Sequence, residues 1–166
     1  MSPKPLQREE GLNVLIVEDD EIMRLSLADR LKMEGISTVT AGSIVEARRY
    51  LAQAPADMVI TDIRLPDGSG QDFFHEVSAA LPGVPVMVMT AYGSVPDAVD
   101  LVKAGAIDYL TKPFKLDNFV SSVQRVLNSV AEARQYAAMS QNGEENPFRP
   151  GMGLLGTSAA MRGVER

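Results

Sequence analysis

Residues 58–68 read MVITDIRLPDG, an apolar run that stops at Asp62 and is followed by a turn motif. Two other apolar runs end in the same way, since residues 12–17 lead into Glu18-Asp19-Asp20 and residues 84–89 lead into Thr90. A fourth run, 106–110, is followed by Thr111-Lys112-Pro113. Short β-branched and apolar runs between helix-period segments are typical of buried parallel strands. The chain therefore predicts several strands whose carboxyl ends carry reactive side chains.

Helix signals separate these runs. Ile22, Leu25, Ala28 and Leu31 lie at helical spacing after the first run, and Gly35 supplies a stop. This spacing predicts a first helix directly after the acidic triplet.

The rest of the chain keeps the same alternation. Residues 37–41 predict a short strand, and Ser43-Ile-Val-Glu46 is a capping-box pattern that opens the next helix. The last helix begins near Leu116 and shows no stop signal until about Ser140. Alternating strands and helices imply right-handed crossovers. We therefore predict an α/β fold, a doubly wound five-stranded parallel sheet with an extended C-terminal helix.

Composition limits the classes of function. The 166 residues are 45% hydrophobic and 23% charged, enough for one domain with a proper core plus an extension, and no run is long enough for a membrane span. The absence of Cys excludes disulfides and thiolate metal sites and fits a reducing cytoplasm. A net charge of −6 gives no broad footprint for DNA, so any DNA contact is expected in regions absent from this chain.

Asp62 is the candidate phosphoryl acceptor. In an open α/β sheet the carboxyl ends of the strands share one edge, where ligands bind. A carboxylate there can attack a phosphoryl group and form an acyl phosphate if the developing charge is neutralised. Mg²⁺ suits that task, and Glu18 and Asp19 would supply further carboxylate ligands. Asp20 is a third acid beside them, so the residues alone leave the ligand pair open.

Two other side chains complete the predicted cluster. The Lys112 ammonium can pair with a phosphoryl oxygen, and the Thr90 hydroxyl can donate to another. An isolated Asp or Thr at a strand end is usually a turn former or a helix cap. Their coincidence on one sheet edge favours a site instead.

Two rival functions conflict with particular residues. A phosphoaspartyl phosphatase needs a second acid two residues after its nucleophile, and that position is Arg64. A flavodoxin-like flavin carrier needs a hydroxyl-rich phosphate loop, whereas Glu18-Asp19-Asp20 would repel the phosphate. The only His, His75, is interpreted as a helix-surface residue rather than a phosphorylated one.

At these residues the chain resembles the receiver domain of two-component response regulators over roughly residues 12–130. The matching stretches are Val17-Glu18-Asp19-Asp20, Thr61-Asp62-Ile63-Arg64-Leu65-Pro66-Asp67-Gly68, Met89-Thr90-Ala91-Tyr92-Gly93 and Gly105-Ala106-Ile107-Asp108-Tyr109-Leu110-Thr111-Lys112-Pro113-Phe114. The resemblance implies a flavodoxin-like sheet with strand order 2-1-3-4-5. It also implies a signalling domain, not an enzyme, that catalyses only its own phosphorylation and dephosphorylation, with a sensor histidine kinase as partner.

The resemblance also implies residue roles. These are Asp62 as phosphoacceptor, Mg²⁺ ligands from Glu18, Asp19, Asp62 and the backbone carbonyl of Arg64, Thr90 and Tyr109 as the switch pair, and Lys112 as the phosphate-sensing lysine. Glu18 departs from the commoner Asp at the first acidic position. The Lys112–Pro113 bond is predicted to be cis, since this bend would aim the ammonium at the phosphoryl site.

Residues 153–164 are similar to the opening of the AAA+ ATPase domain of NtrC-type regulators, which act on RNA polymerase carrying an alternative sigma factor. No GxxxxGK(S/T) phosphate-binding loop occurs in the chain. The predicted organisation is a lead-in at 1–11, a receiver domain at 12–130, a helical extension and linker at 131–152, and the start of a truncated ATPase domain at 153–166. The chain is thus expected to be a fragment of a longer activator whose ATPase the receiver switches.

The last helix carries a heptad seam, with apolar residues at alternating spacings of four and three. Its members are Phe119, Val123, Val126, Val130, Ala133 and Ala137. The seam permits two interpretations: its first half packs on the sheet while the rest is frayed, or it forms a two-stranded coiled coil. On the second, we predict a homodimer through helix four, strand five, helix five and the helical extension.

Overall fold

The structure, a computed structural model, describes residues 12–91 and 94–143, with side-chain surroundings up to residue 137. The predicted lead-in at 1–11, Tyr92-Gly93, most of the predicted linker and the ATPase-like segment at 153–166 lie outside the described residues. The chain divides into two compact units, Met1–Asn128 and Ser129–Arg166.

Strands and helices alternate along the described part of the chain. The elements are β1 (Asn13–Val17), α1 (Glu21–Met33), β2 (Ser37–Ala41), α2 (Ile44–Gln53), β3 (Met58–Asp62), β4 (Arg64–Leu65), β5 (Gly68–Ser69), α3 (Gly70–Ala80), β6 (Val86–Ala91), α4 (Val95–Lys103), β7 (Asp108–Lys112) and α5 (Leu116–Gly143). Five strands form one sheet in the order β2-β1-β3-β6-β7, and all of its pairs are parallel. The short β4 and β5 form a separate antiparallel ribbon. The predicted parallel sheet and its 2-1-3-4-5 order are confirmed, because β6 and β7 are its fourth and fifth strands.

The sheet has an apolar core on each face, because successive residues of a strand point to opposite faces. Leu15, Val59 and Val88 belong to the core that α2, α3 and α4 cover. Ile16 and Ile60, one residue further along their strands, belong to the core under α1 and α5. Helices therefore cover both faces of the sheet, and the ends of its strands stay open to polar ligands.

Two strand ends lie further along the chain than the sequence predicts. The fourth strand of the sheet begins at Val86 rather than at 84, because Pro85 has no N–H to donate to a ladder, and it continues to Ala91. The fifth runs from Asp108 to Lys112, whereas the apolar run that predicts it covers 106–110. As a result, Thr90 and Lys112 belong to the paired ends of their strands, where backbone hydrogen bonds of the sheet hold them.

The α1 helix buries only the second half of the apolar stripe that its spacing marks. Leu27, Ala28 and Leu31 are buried, whereas Ile22 is 79% exposed and Leu25 is 49% exposed. The buried side of α1 is centred on Leu27, Ala28 and Leu31, so the first two apolar residues of the predicted stripe face solvent.

The α5 helix contains both parts of the heptad seam. Phe119, Val123 and Val126 are buried in the core under the sheet, as the first interpretation requires. Ala133 and Ala137 are exposed. The coiled-coil prediction is therefore corrected for its first half, because those side chains are already covered within the first unit. No helix among the described residues is long and apolar enough to cross a membrane.

Candidate functional site

Three carboxylates meet at the carboxyl edge of the sheet. The β1–β3 pairing sets Val17 opposite Thr61, so Glu18 and Asp62 follow at neighbouring strand ends. Glu18, Asp19 and Asp62 each place one oxygen within 4.8 Å of the others. The predicted acidic cluster is thus brought together, and the strand register accounts for the closeness of Glu18 and Asp62.

Asp20 is outside this cluster. It is the N-cap residue of α1, and its Oδ1 accepts a hydrogen bond of 3.1 Å from the Met23 amide. The sequence left Asp19 and Asp20 as alternatives. The structure separates them, with one in the cluster and the other on the helix.

Lys112 joins the acidic cluster from β7. Its Nζ lies 2.6 Å from Glu18 Oε1 and 2.6 Å from Asp62 Oδ2. Burial alone would lower the pKa of Lys112, but its hydrogen bonds to Asp62 and Glu18 outweigh burial and raise that pKa. The ammonium therefore stays charged between the two carboxylates.

Glu18 is the most buried acid of the cluster, at 1% exposure. Burial raises the pKa of Glu18, while hydrogen bonds from Lys112 and from the Asp20 amide offset part of that rise. A buried carboxylate is costly unless it is paired or coordinates a metal. This position therefore requires a cation.

Arg24 holds the acidic loop from α1, a contact that the sequence did not predict. Its Nη1 donates to the carbonyl oxygens of Glu18 at 2.8 Å and Asp19 at 3.5 Å. The Glu18 amide in turn donates to the Ala41 carbonyl at 3.0 Å. Helix α1 and strand β2 therefore fix the backbone from which the two acidic side chains project.

The loop after Asp62 folds back over the strand end. The Arg64 amide donates to Asp62 Oδ1 at 3.2 Å, and the Gly70 amide donates to the Ile63 carbonyl at 2.6 Å. A Cβ on Gly70 would lie 2.0 Å from the Asp62 carbonyl oxygen. Only glycine fits this approach, a constraint that no local sequence pattern predicts.

Asp67 connects the same loop to α2. Its Oδ1 and Oδ2 accept from the amides of Ile44 and Val45, each at 3.0 Å. These two backbone hydrogen bonds lower the pKa of Asp67. The Ser43 hydroxyl accepts from the Glu46 amide, but Glu46 reaches the Gly42 amide instead of closing the predicted capping box.

The predicted switch pair lies on adjacent strands. Thr90 is fully buried, and its hydroxyl donates to the Ala91 carbonyl at 3.1 Å. It follows Met89, which pairs with Asp62 across the sheet. Tyr109 is half-buried and packs against the core on the α4 side. The predicted cis Lys112–Pro113 bond is confirmed.

Arg64 lies in β4, and His75 lies in α3. The Arg64 guanidinium donates to the hydroxyl of Ser94, at 3.3 Å from Nε and 3.1 Å from Nη2. The role of the Arg64 carbonyl as a metal ligand stays a prediction. His75 is exposed on α3 with its ring edge-on to Phe74, which confirms its interpretation as a surface residue.

The donor set fits a hard divalent cation. Glu18, Asp19 and Asp62 supply only oxygen atoms from a compact arrangement, which is the chemistry that Mg²⁺ prefers. The Lys112 ammonium, which is paired with Glu18 and Asp62, shows that these carboxylates already require a positive charge. The cluster can therefore bind a cation and hold a carboxylate nucleophile beside it.

Comparison with known proteins gives concordant matches. The family model of the response regulator receiver domain matches residues 14–124. The chain is 41% identical over 121 residues to the response regulator protein PilR of Pseudomonas aeruginosa, covering 71% of this chain and 27% of the relative. It is 33% identical over 153 residues to the DNA-binding transcriptional regulator NtrC of Azospirillum brasilense, covering 92% of this chain and 31% of the relative.

A solved structure agrees with these relatives. The solution structure of the beryllofluoride-activated NtrC4 receiver domain dimer matches with a TM-score of 0.67 and 31% identity, covering 71% of this chain and 98% of that one. The chain spans only about three tenths of the length of the curated relatives that it matches.

Proposed function

The chain belongs to the response regulator receiver domain family, and we propose that Asp62 accepts a phosphoryl group from a sensor histidine kinase in a Mg²⁺-dependent reaction. The observation that supports this best is the Lys112 ammonium, placed 2.6 Å from Asp62 Oδ2 at the edge of the sheet. A cation there can neutralise charge that develops on a transferring phosphoryl group.

The chemical step assigns a task to each side chain. An Asp62 carboxylate oxygen attacks phosphorus, so a P–O bond forms as the P–N bond to the donor imidazole breaks. The imidazole leaves with the electron pair and takes a proton, and Asp62 carries an acyl phosphate. Lys112 and Thr90 then donate hydrogen bonds to phosphoryl oxygens, which are charge-assisted in the case of the lysine.

Glu18, Asp19 and Asp62 would hold Mg²⁺, together with the Arg64 carbonyl. The ion supplies positive charge that lets two anions, carboxylate and phosphoryl group, approach each other. The chain's own residues orient this set, since Arg24 fixes the backbone of Glu18 and Asp19.

The phosphorylation signal would pass from Asp62 to the surface of the domain through Thr90 and Tyr109. Recruitment of the Thr90 hydroxyl vacates space behind it, and the half-buried Tyr109 ring can turn inward. That changes the surface of α4, β7 and α5. We propose this surface, extended along Val130, Ala133 and Ala137, as a homodimer contact that controls an attached transcription-activating ATPase domain in the cytoplasm. DNA and RNA polymerase would be contacted only by regions absent from this chain.

The proposal makes the chain a signalling domain that acts on itself. Hydrolysis of external phosphate esters would need an acid where Arg64 stands. In the structure the Arg64 guanidinium donates to the Ser94 hydroxyl, so this position offers the site no carboxylic acid.

The experiment is labelling with a small phosphodonor in Mg²⁺, followed by mapping of the product. The parent should carry one acid-stable, base-labile acyl phosphate on Asp62, and chelation of Mg²⁺ should abolish it. Asp62→Asn should not label, because an amide is a poor nucleophile. Asp72→Asn, an exposed acid of α3, is the matched control and should label at the parent rate. Unchanged labelling of Asp62→Asn would refute the assignment.

A further inference from the structure

The first turn of α4 contains a conflict between sequence and structure. Residues 94–97, Ser-Val-Pro-Asp, have the pattern of a capping box, in which the Ser94 hydroxyl would accept from the Asp97 amide. Pro96 has no N–H, so the Asp97 amide is the main target for such a cap. In the structure, Ser94 is the N-cap residue but makes no side-chain capping hydrogen bond.

The Ser94 hydroxyl is occupied by Arg64. Nε and Nη2 of the guanidinium donate to the hydroxyl oxygen at 3.3 and 3.1 Å, which uses both of its acceptor positions. Ser94 is 3% exposed, so water has little access to replace this partner. The hydroxyl therefore has two competing donors within the protein, the Arg64 guanidinium and the first turn of α4.

Arg64 is also tied to the phosphoacceptor. Its amide donates to Asp62 Oδ1 at 3.2 Å, so its side chain starts at the edge of the acidic site. The guanidinium is bound to a neutral hydroxyl, whereas charge-assisted hydrogen bonds are about twice as strong. A phosphoryl group on Asp62 would offer that stronger acceptor, with about −1.5 to −2 of charge.

Resting on the proposed function, we propose that Arg64 is a positioning residue that exchanges partners on phosphorylation. Its guanidinium moves from the Ser94 hydroxyl to a phosphoryl oxygen on Asp62, and the freed hydroxyl caps α4 at the Asp97 amide. No covalent bond changes in this step. It stabilises the first turn of α4 in the phosphorylated state by a route that does not involve Thr90.

The experiment is amide hydrogen exchange by NMR, read at Asp97, with and without Mg²⁺ and beryllofluoride as the phosphoryl mimic. In the parent, the mimic should slow exchange of the Asp97 amide about fivefold, the effect of gaining one N-cap. Arg64→Gln should show slow exchange already without the mimic, because its amide competes less well for Ser94. Ser94→Ala should show fast exchange in both states. Arg49→Gln, an exposed arginine of α2, is the matched control and should behave as the parent.

The outcomes separate this exchange of partners from the phosphoacceptor role. If the mimic fails to shift the amide resonances around Asp62, the proposed function is wrong and this inference fails with it. If the mimic binds but Asp97 exchange does not change in the parent, only the exchange of partners is overturned. The exchange of partners is likewise overturned if the Asp97 amide of Arg64→Gln exchanges as fast as that of the parent without the mimic. This comparison stands even if Ser94→Ala does not fold.

Discussion

Lys112 Nζ lies 2.6 Å from Glu18 Oε1, and the Glu18 carboxylate is almost completely withdrawn from water. The pair joins β7 to the end of β1 across the site. Their distance makes the ammonium a structural counter-ion before any phosphoryl group arrives.

Replacing Lys112 should therefore destabilise the metal-free protein. We expect Lys112→Met to lower the free energy of unfolding by about 2–3 kcal/mol, because it leaves a buried carboxylate unpaired. Denaturant unfolding in a chelator measures this, with Lys115→Met at an exposed position as control. Adding Glu18→Gln to Lys112→Met should recover part of the loss. A double variant no more stable than Lys112→Met would show that the lysine acts by packing alone.

Mg²⁺ should raise the melting temperature through binding to the folded state. At a hundredfold excess over Kd the gain is about 2.7 kcal/mol, which corresponds to several degrees. Asp19→Asn should reduce this response. Asp20→Asn keeps a side-chain oxygen that can cap α1, so it should keep both the baseline and the full response to Mg²⁺. If both variants lose the same share of the response to Mg²⁺, the assignment of Glu18 and Asp19 as the ligand pair is wrong.

Gly70→Ala should damage both stability and phosphoacceptance. Its Cβ would lie 2.0 Å from the Asp62 carbonyl oxygen and 2.7 Å from Ile63 Cα, so the backbone must move. We expect a cost of about 3 kcal/mol and slower labelling of Asp62. Gly83→Ala is the control, because nothing lies within 4 Å of its Cβ. Similar unfolding curves for the two variants would contradict the close approach.

Asp67 should make the stability of α2 depend on pH. Its folded-state pKa lies below the ordinary 3.8, so its contribution is present above that value and is lost as pH falls through the lowered pKa. Asp67→Asn should therefore melt below the parent at neutral pH, and the gap should close in acid. Asp29→Asn, an exposed acid of α1, should show no such convergence. A gap that is constant with pH would assign the effect to something other than the charge.

The α5 seam should matter for self-association only beyond the first unit. We expect Val130→Asp/Ala137→Asp to weaken dimerisation in sedimentation experiments with the phosphoryl mimic, since it places charges on the seam. Asn128→Asp/Gln135→Asp, on the opposite side of the heptad, should leave it unchanged. Val123 is unsuitable for this test because it is fully buried in the receiver core. If the seam variant dimerises as tightly as the parent, the contact lies elsewhere.

Sequence patterns predicted the parallel sheet and the meeting of the acids, because strand periodicity and strand ends are local signals. The strand order came only from the resemblance to receiver domains. They did not predict strand bounds near Pro85, where the loss of a single N–H delays pairing. They also marked Ile22 as part of an apolar stripe although it faces solvent.

Local sequence patterns could not predict the contacts that support the site. Asp67 caps a helix 22 and 23 positions earlier, and Arg64 binds Ser94 30 positions later. Such partners depend on how loops approach each other in the folded chain. Arg24, one turn into α1, carries no signal that separates it from any other helical arginine.

The position of β3 at the middle of the sheet has a consequence for local opening. Residues of β3 pair with β1 on one side and with β6 on the other, and Asp62 is the last of them. Segments with pairs on both sides and cores on both faces open only when the whole domain unfolds. The capacity to accept a phosphoryl group should therefore vanish in the same all-or-none transition as the fold, without a partly melted form that keeps the helices but loses the acceptor.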